Sequence, residues 1–497
     1  MFSSIFDIYL KKHEKNYAII SFFAQLICAQ TPCSNGKAGI YPCKDYDLLS
    51  NVPVNILANT NGNPEGSDIW GWTDSTTGKE YAIAAMTNST AFVDVTDPVN
   101  PIFLGRLDSN AGNNYWRDVK VYKDHAFIVA DNVGAHGMQV FDLTKLRGLT
   151  SAQNFTADVI YNTDFLGSCH NIFINEDSGV AYLVGCKNFR GSRIFNGGPI
   201  FVDISDPKNP TKINHYANAG YSHDVQVVKY DGPDTEHKGK EIFIGSNETE
   251  VTILDVTDKN NVIKIAEIGY SQTVYTHQGW FTEDQRYFIL GDEQDEQKIG
   301  MNSRTLVFDF EDLDNPKLSS TYFGPSAAID HNGYVKGNLF YLANYNAGLR
   351  VLDITNISAS TNSMTEVGYF DTHPENDATS FNGAWSVYPY FASGNLIIND
   401  IERGLFVIRK SGTLGLENQE LNKSFSVFPN PASENTIIKS SNNQFVKSVQ
   451  LYSLLGQKVR EENNINSTEY VLNTKGLKKG IYLIKINNLR TSKLVIK

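Results

Sequence analysis

One short pattern constrains the fold of this chain more than any other feature: an apolar strand that closes on an aspartate and then turns. It reads "AFVDVTDPVNP" at Asp94, "MQVFDLTK" at Asp142, "IFVDISDPKNP" at Asp203 and "VTILDVTDKNN" at Asp255. It continues as "TLVFDFEDLDNP" at Asp309, "LRVLDITN" at Asp353 and a degenerate "LFVIRK" ending at Lys410. Successive aspartates stand 44 to 61 residues apart. That period suits a propeller blade and is too long for an ankyrin or leucine-rich repeat.

Two more strands precede each of these. A polar-headed run comes first, as in "WRDVKV", "CHNIFI", "SHDVQVV" and "THQGWF", and an apolar run follows, as in "AFIVAD", "AYLVG", "EIFIG" and "YFILGD". The runs are short, rich in β-branched and aromatic residues, and bounded by Gly, Asn, Asp and Pro. No sustained 3.6-residue apolar period interrupts them between Asn51 and Lys410. In the Asp-Pro-x-x-Pro segments the aspartate caps the bend, while proline fixes φ and stops the ladder. One such unit cannot bury both faces of its sheet, but radial packing of several does. The expectation is therefore an all-β chain built on a seven-bladed β-propeller over residues 51–410. Six or eight blades stay open at this point, because the first and last can share strands to close the ring.

The ends of the chain differ from this body. Lys11, Lys12 and Lys15 precede a 13-residue apolar run from Tyr17 to Ala29, the layout of a signal peptide over 1–29 and too short to span a bilayer. Ile27 stands where lipidation at Cys28 would need a small residue. No later segment is long and apolar enough for a membrane helix. Removing the signal leaves four cysteines, whose even number in an exported chain reads as disulfides with three connectivities. Cys33–Cys43, within a segment over 30–50, and Cys169–Cys186, bracketing two strand-like runs, are the favoured pairs. A polar linker over 411–424 leads to alternating runs in 425–497, which suggest a small immunoglobulin-like β-sandwich. Aromatic residues make up 12% of the chain, which excludes a disordered one. The net charge is −12, yet from Phe425 onward eleven Lys and Arg face four Glu. The body is thus strongly acidic and repels a phosphate backbone, so no nucleic-acid partner is expected.

The Asp-closing strands resemble the LVIVD repeat. The order of "GSDIWGWTD", "HNIFINEDSGVAYLVG", "YTHQGWFTEDQRYFILGDE", "IDHNGYV" and "FNGAWSVYPYFASGNLIINDIERGLFVI" is similar to the choice-of-anchor B family of exported bacterial propellers. That resemblance implies a propeller joined to a surface-anchoring tail and brings no settled activity with it. The tail itself resembles the type A C-terminal sorting domain of the type IX secretion system of Bacteroidetes. The resemblance rests on Pro-Asn-Pro in "FSVFPNPAS", Gly456, Gly-Ile-Tyr in "KGIYLIKI" and the basic finish "SKLVIK". It implies the secretion machinery as a partner, and export through the periplasm to the outer-membrane surface or beyond.

Chemistry is harder to read. Aligning the first strand of each repeat brings Ser67, Arg117, His170, His223, His277, His331 and Asn382 into register, and the next position holds Asp68, Asp118, Asn171, Asp224, Gln278, Asn332 and Gly383. Four of the ten histidines fall on one position, 53 or 54 residues apart. They are read either as polar links between blades or as a metal or anion site supported by Asp224, since imidazole is the commonest transition-metal ligand. Arg117 and Asn382 are counted with them as candidate binding residues. A second candidate is the loop "GDEQDEQKIGMN", where Asp292, Glu293, Asp295 and Glu296 could attract a divalent cation. Without a D-x-D-x-D-G pattern it reads better as a solvated acidic loop. Trp70, Trp280 and Trp385 share a register position suited to packing between blades. There is no G-x-S-x-G elbow, Walker loop, H-E-x-x-H helix or dinucleotide fingerprint. The leading expectation is an exported propeller that binds a polysaccharide, protein or envelope component. The alternative is a metal-assisted hydrolase or lyase using the histidine ring.

Overall fold

A computed structural model describes residues 30–59, 63–163, 166–412, 425–440, 445–453, 458–487 and 490–497. The expected signal peptide and nearly all of the expected linker lie outside the described residues.

Between Lys37 and Lys410 the described residues form seven sheets of four or more strands, each built around an antiparallel meander of chain neighbours; the sheet that starts at Gly66 adds one parallel edge strand, Gln153–Phe155. Their first strands are Gly66–Thr73, Arg117–Tyr122, Asn171–Asn175, Asp224–Lys229, Thr276–Phe281, Gly333–Lys336 and Ala384–Tyr388. Each of these touches the next, and the last touches the first, so they ring a central channel. The chain is a β-propeller. Second strands such as Glu80–Met86, Val180–Val184 and Tyr287–Asp292 are buried along their whole length, because both faces are covered by neighbouring sheets.

The repeated aspartate has a local reason. The carboxylates of Asp94, Asp142, Asp203, Asp255, Asp309 and Asp353 each accept the backbone N–H two residues on, at 2.8–3.1 Å. That bond turns the chain out of the third strand. Asp97, Asp206, Asp258 and Asp312 repeat the device one step later.

The ring closes with a strand from the other end of the chain. Tyr46–Val52 pairs antiparallel with Gly404–Lys410, with Tyr46 opposite Lys410 and Val52 opposite Leu405. Tyr41–Lys44 then extends the neighbouring sheet, Cys43 facing Phe370. The propeller thus begins ahead of residue 51, and most of the segment expected to stand apart is sheet. The propeller strands that Tyr41–Lys44 and Tyr46–Val52 pair with are more than 320 residues away, so no local pattern announces them. Both expected disulfides are formed, Cys33–Cys43 and Cys169–Cys186.

The tail is a separate pair of sheets. Phe425–Phe428, Asn435–Ser440 and Glu469–Asn473 make one, and Val446–Ser453, Lys458–Ser467, Gly480–Ile486 and Arg490–Ile496 the other. Phe425, Ile438, Val449, Leu451, Leu472 and Ile484 pack between them, the aligned sandwich that the alternating sequence implies. Among the described residues no helix is long and apolar enough to cross a membrane.

Candidate functional site: the channel histidines and the cavity at the channel mouth

The four histidines of the aligned position meet in the channel, at or just ahead of their first strands. Ring centroids of His170 and His223 are 4.2 Å apart, those of His223 and His277 4.4 Å, and those of His277 and His331 4.4 Å. Backbone partners fix how the rings sit. His223 Nδ1 donates to the His277 carbonyl at 3.1 Å, and His331 Nδ1 to the Trp385 carbonyl at 2.5 Å. His170 Nδ1 lies 3.2 Å from Asp131 Oδ2. A carbonyl or carboxylate oxygen can only accept, so the proton sits on Nδ1 and Nε2 keeps its lone pair. His277 is the looser member: its Nδ1 approaches the His331 backbone without closing a hydrogen bond. Burial holds His223 and His277 well below the usual histidine range and brings His331 down to about 4. These three imidazoles are neutral at physiological pH.

The next position along the strands behaves differently. Asp68 accepts the Val119 N–H, Asp118 the Ile172 N–H, and Gln278 both accepts from and donates to Gly333. Each bond crosses to the first strand of the following sheet. Asp224 accepts from its neighbour Val225 and from Asn171, so it braces strands and does not support the imidazoles by hydrogen bonds. Lys120 sits among these acids, bonded to Asp118, 3.4 Å from Asp68, and over the Trp70 ring. A cavity of about 30 Å³ lies between the histidines and this tier, room for a water or two.

Arg117 also lines this small cavity, but its polar groups are spent on the fold. The Arg117 guanidinium donates to the Thr87 carbonyl and Ser109 and reaches His136 Nε2; it struts the loop between the first two sheets. The acidic loop is not solvated. Asp292 accepts from Tyr270, Val274, Tyr275 and Arg304, and Asp295 from Arg304 at 2.5 Å. Both are fully buried. One arginine draws this pair inward, so neither is free for a cation. Burial also raises Glu296 to about 9 and Asp330 well above the carboxylate range, which favours the protonated form of these two.

Glu293 takes a different course from its loop. Its carboxylate stands 3.8 Å from His277 Nε2 and 3.5 Å from His331 Nε2, and accepts from the Tyr345 hydroxyl at 3.0 Å. Burial raises it to about 7. It also lines a second cavity, of about 370 Å³, at the channel mouth. Tyr115, Trp116, Tyr345, Phe381 and Trp385 wall this space, and Glu65, Glu402, Gln294 and Asn382 supply its polar groups. Asn382 donates to Glu402. Among the described residues no lysine or arginine lines it. Gly383 lets the wall close up: with φ near 88°, a Cβ there would lie 2.4 Å from the Tyr345 carbonyl oxygen. Trp70 packs on Tyr334 and Tyr388, and Trp280 on Tyr334; Trp385 alone of the three also lines the mouth cavity. The aromatic wall was not anticipated. Its one sequence signal is position, since Glu65, Tyr115, Trp116 and Phe381 stand one or two residues ahead of the aligned position.

Comparison with known proteins adds an address. Residues 426–497 match the secretion system C-terminal sorting domain, and residues 334–372 match the LVIVD repeat. No curated protein matches the sequence. Among solved structures the chain is similar to PorZ, an essential bacterial surface component of the type IX secretion system of Porphyromonas gingivalis. The identity is 13%, the TM-score 0.43, and the match covers 85% of this chain and 58% of that one. It is also similar to the Cps50 (Swd1) β-propeller domain of Myceliophteria thermophila at 10% identity and TM-score 0.42, covering 66% and 93%. A putative 6-phosphogluconolactonase of Bacteroides uniformis matches at 12% identity and TM-score 0.43, covering 60% and 87%. The sorting domain gives the destination: this propeller is exported through the type IX secretion system to the cell surface or the extracellular space.

Proposed function

We propose that the protein is a surface or secreted binding module whose ligand, a sugar unit of a polysaccharide, enters the cavity at the channel mouth. The observation that carries this reading is the cavity itself: about 370 Å³, with five aromatic rings and several carboxylate and amide groups around one space. That volume lies in the range of small-ligand sites, roughly 300–1,000 Å³. A pyranose offers an apolar face to an aromatic ring and a rim of hydroxyls to carboxylates and amides. The pairing of an LVIVD propeller with a sorting tail supports membership in the choice-of-anchor B family.

The test is a thermal-shift screen of the full chain against soluble oligosaccharides, repeated on Tyr115→Ala/Phe381→Ala. Both side chains are more than a third exposed, so their truncation leaves the fold intact. A stabilising sugar that stops acting on the variant supports the reading. A panel without a hit, or a hit indifferent to the variant, removes it. The alternative, a metal-assisted hydrolase or lyase, is favoured by one observation, that Glu293 touches both the mouth cavity and two imidazoles. Cleavage of a bound oligosaccharide, lost in Glu293→Gln, would select it.

A further inference from the structure

We propose that His277, His331 and Glu293 hold one divalent transition-metal ion between the small channel cavity, which the histidines line, and the mouth cavity, which Glu293 lines. This does not depend on which ligand enters above it. One donor atom from each of the three lies within 4.8 Å of the others, and the two imidazole-to-carboxylate distances are 3.8 and 3.5 Å. Donors set about 2.1 Å from a shared ion in tetrahedral array stand roughly 3.4 Å apart. The two contacts fall on different oxygens of Glu293, Oε2 for His277 and Oε1 for His331, so closing on one ion takes a turn of the carboxylate and side-chain shifts of about an ångström.

The surroundings are those of a prepared ligand set. His331 has its Nδ1–H engaged by the Trp385 carbonyl, which presents the Nε2 lone pair, and Tyr345 orients the carboxylate of Glu293. Such outer partners are how proteins aim metal ligands. Both histidines are about 4% exposed, and the Arg304 cation beside the loop is engaged by Asp292 and Asp295. Two imidazoles and one carboxylate suit zinc, iron, manganese or cobalt, whereas calcium and magnesium take oxygen ligands. Three protein ligands leave further coordination positions open to water or another donor.

A second histidine–carboxylate cluster shows what an unsuitable set looks like. Asp234, His237 and Asp314 also lie within reach of one another. There, however, Lys240 donates to His237 Nδ1, and His237 Nε2 stands 2.9 Å from Asp314. An ammonium can only donate, so the His237 proton is on Nε2 and points at the carboxylate. That ring has no lone pair left to offer the group.

The experiment is isothermal titration of the full chain, stripped with chelator, with Zn²⁺ and separately with Ca²⁺. The expected result is one tight Zn²⁺ site, no comparable Ca²⁺ site, affinity at least tenfold weaker in Glu293→Gln, and none in His277→Gln/His331→Gln. His237→Gln binds as the wild type does. Co²⁺ in place of Zn²⁺ adds a visible absorption band that Glu293→Gln alters, and this single variant decides the matter if the double variant melts early. Absence of a tight site in the wild type overturns the proposal. So does tight binding that survives Glu293→Gln unchanged or disappears in His237→Gln.

Discussion

Two adjacent positions on the same seven strands do opposite things. At the second of them, Asp68, Asp118 and Gln278 commit their side chains to the backbone of the next sheet. At the first, His223 and His331 make the same crossing bond with one nitrogen and keep the other for the channel. An imidazole can link blades and still present a donor atom. A carboxylate tied to an amide, with a lysine beside it, holds the ring together and offers the channel less. The contrast shows that linking blades and binding a ligand are not rival descriptions of this ring.

The contrast can be broken most severely at its structural side. Asp118→Ala leaves Lys120 in the channel with Asp68 as its remaining ion-pair partner, and losing one member of a buried ion cluster costs about 3–5 kcal/mol. Chemical denaturation of the metal-free chain should show it, with Zn²⁺ affinity little changed in the folded fraction. His331→Gln should do the reverse, costing about 1–2 kcal/mol for one buried hydrogen bond while weakening Zn²⁺ binding at least tenfold. Equal costs for the two substitutions would erase the distinction.

Acidity probes the same difference across the molecule. Burial raises Asp224 and Asp371 to about 6, Asp400 to about 7 and Glu296 to about 9, whereas the unfolded chain titrates near 4. Between these values the native state binds protons that the unfolded state has released, so stability falls as pH rises. Melting of the chelated chain should therefore drop steadily from pH 5 to 9. Asp142, lowered to about 2 by its hydrogen bonds despite burial, acts in the opposite sense. Its stabilisation is complete above about pH 4 and is lost only as pH falls through 2. The smallest effect belongs to the turns. Asp203→Ala should cost about 1 kcal/mol, and the same change at Asp309 should add to it, because the sites are far apart.

Legibility follows how local each interaction is. The repeated aspartate bonds an amide two residues away, so it recurs in the sequence as a visible pattern. The histidines recur because each blade repeats one position. The closing strand at Tyr46–Val52 has no such signature, since its partners lie at the far end of the propeller. The acidic loop was misread because the groups that face it, the Arg304 cation and the neutral His277 and His331 imidazoles, come from other strands. Four like charges in a row look solvated until the fold supplies what faces them. Glu293 is distinguished from Asp292 and Asp295 only by the direction in which the loop turns it.

The closing strand also makes the N-terminal segment a guard. Tyr46–Val52 covers the edge of Gly404–Lys410, whose Leu405, Phe406, Val407 and Ile408 are buried. A chain clipped before the short helix Val54–Leu57 would carry that apolar edge bare, with unpaired backbone groups ready to accept a strand from another molecule. Such a clipped propeller would exchange strands with its neighbours and assemble into swapped pairs or aggregates.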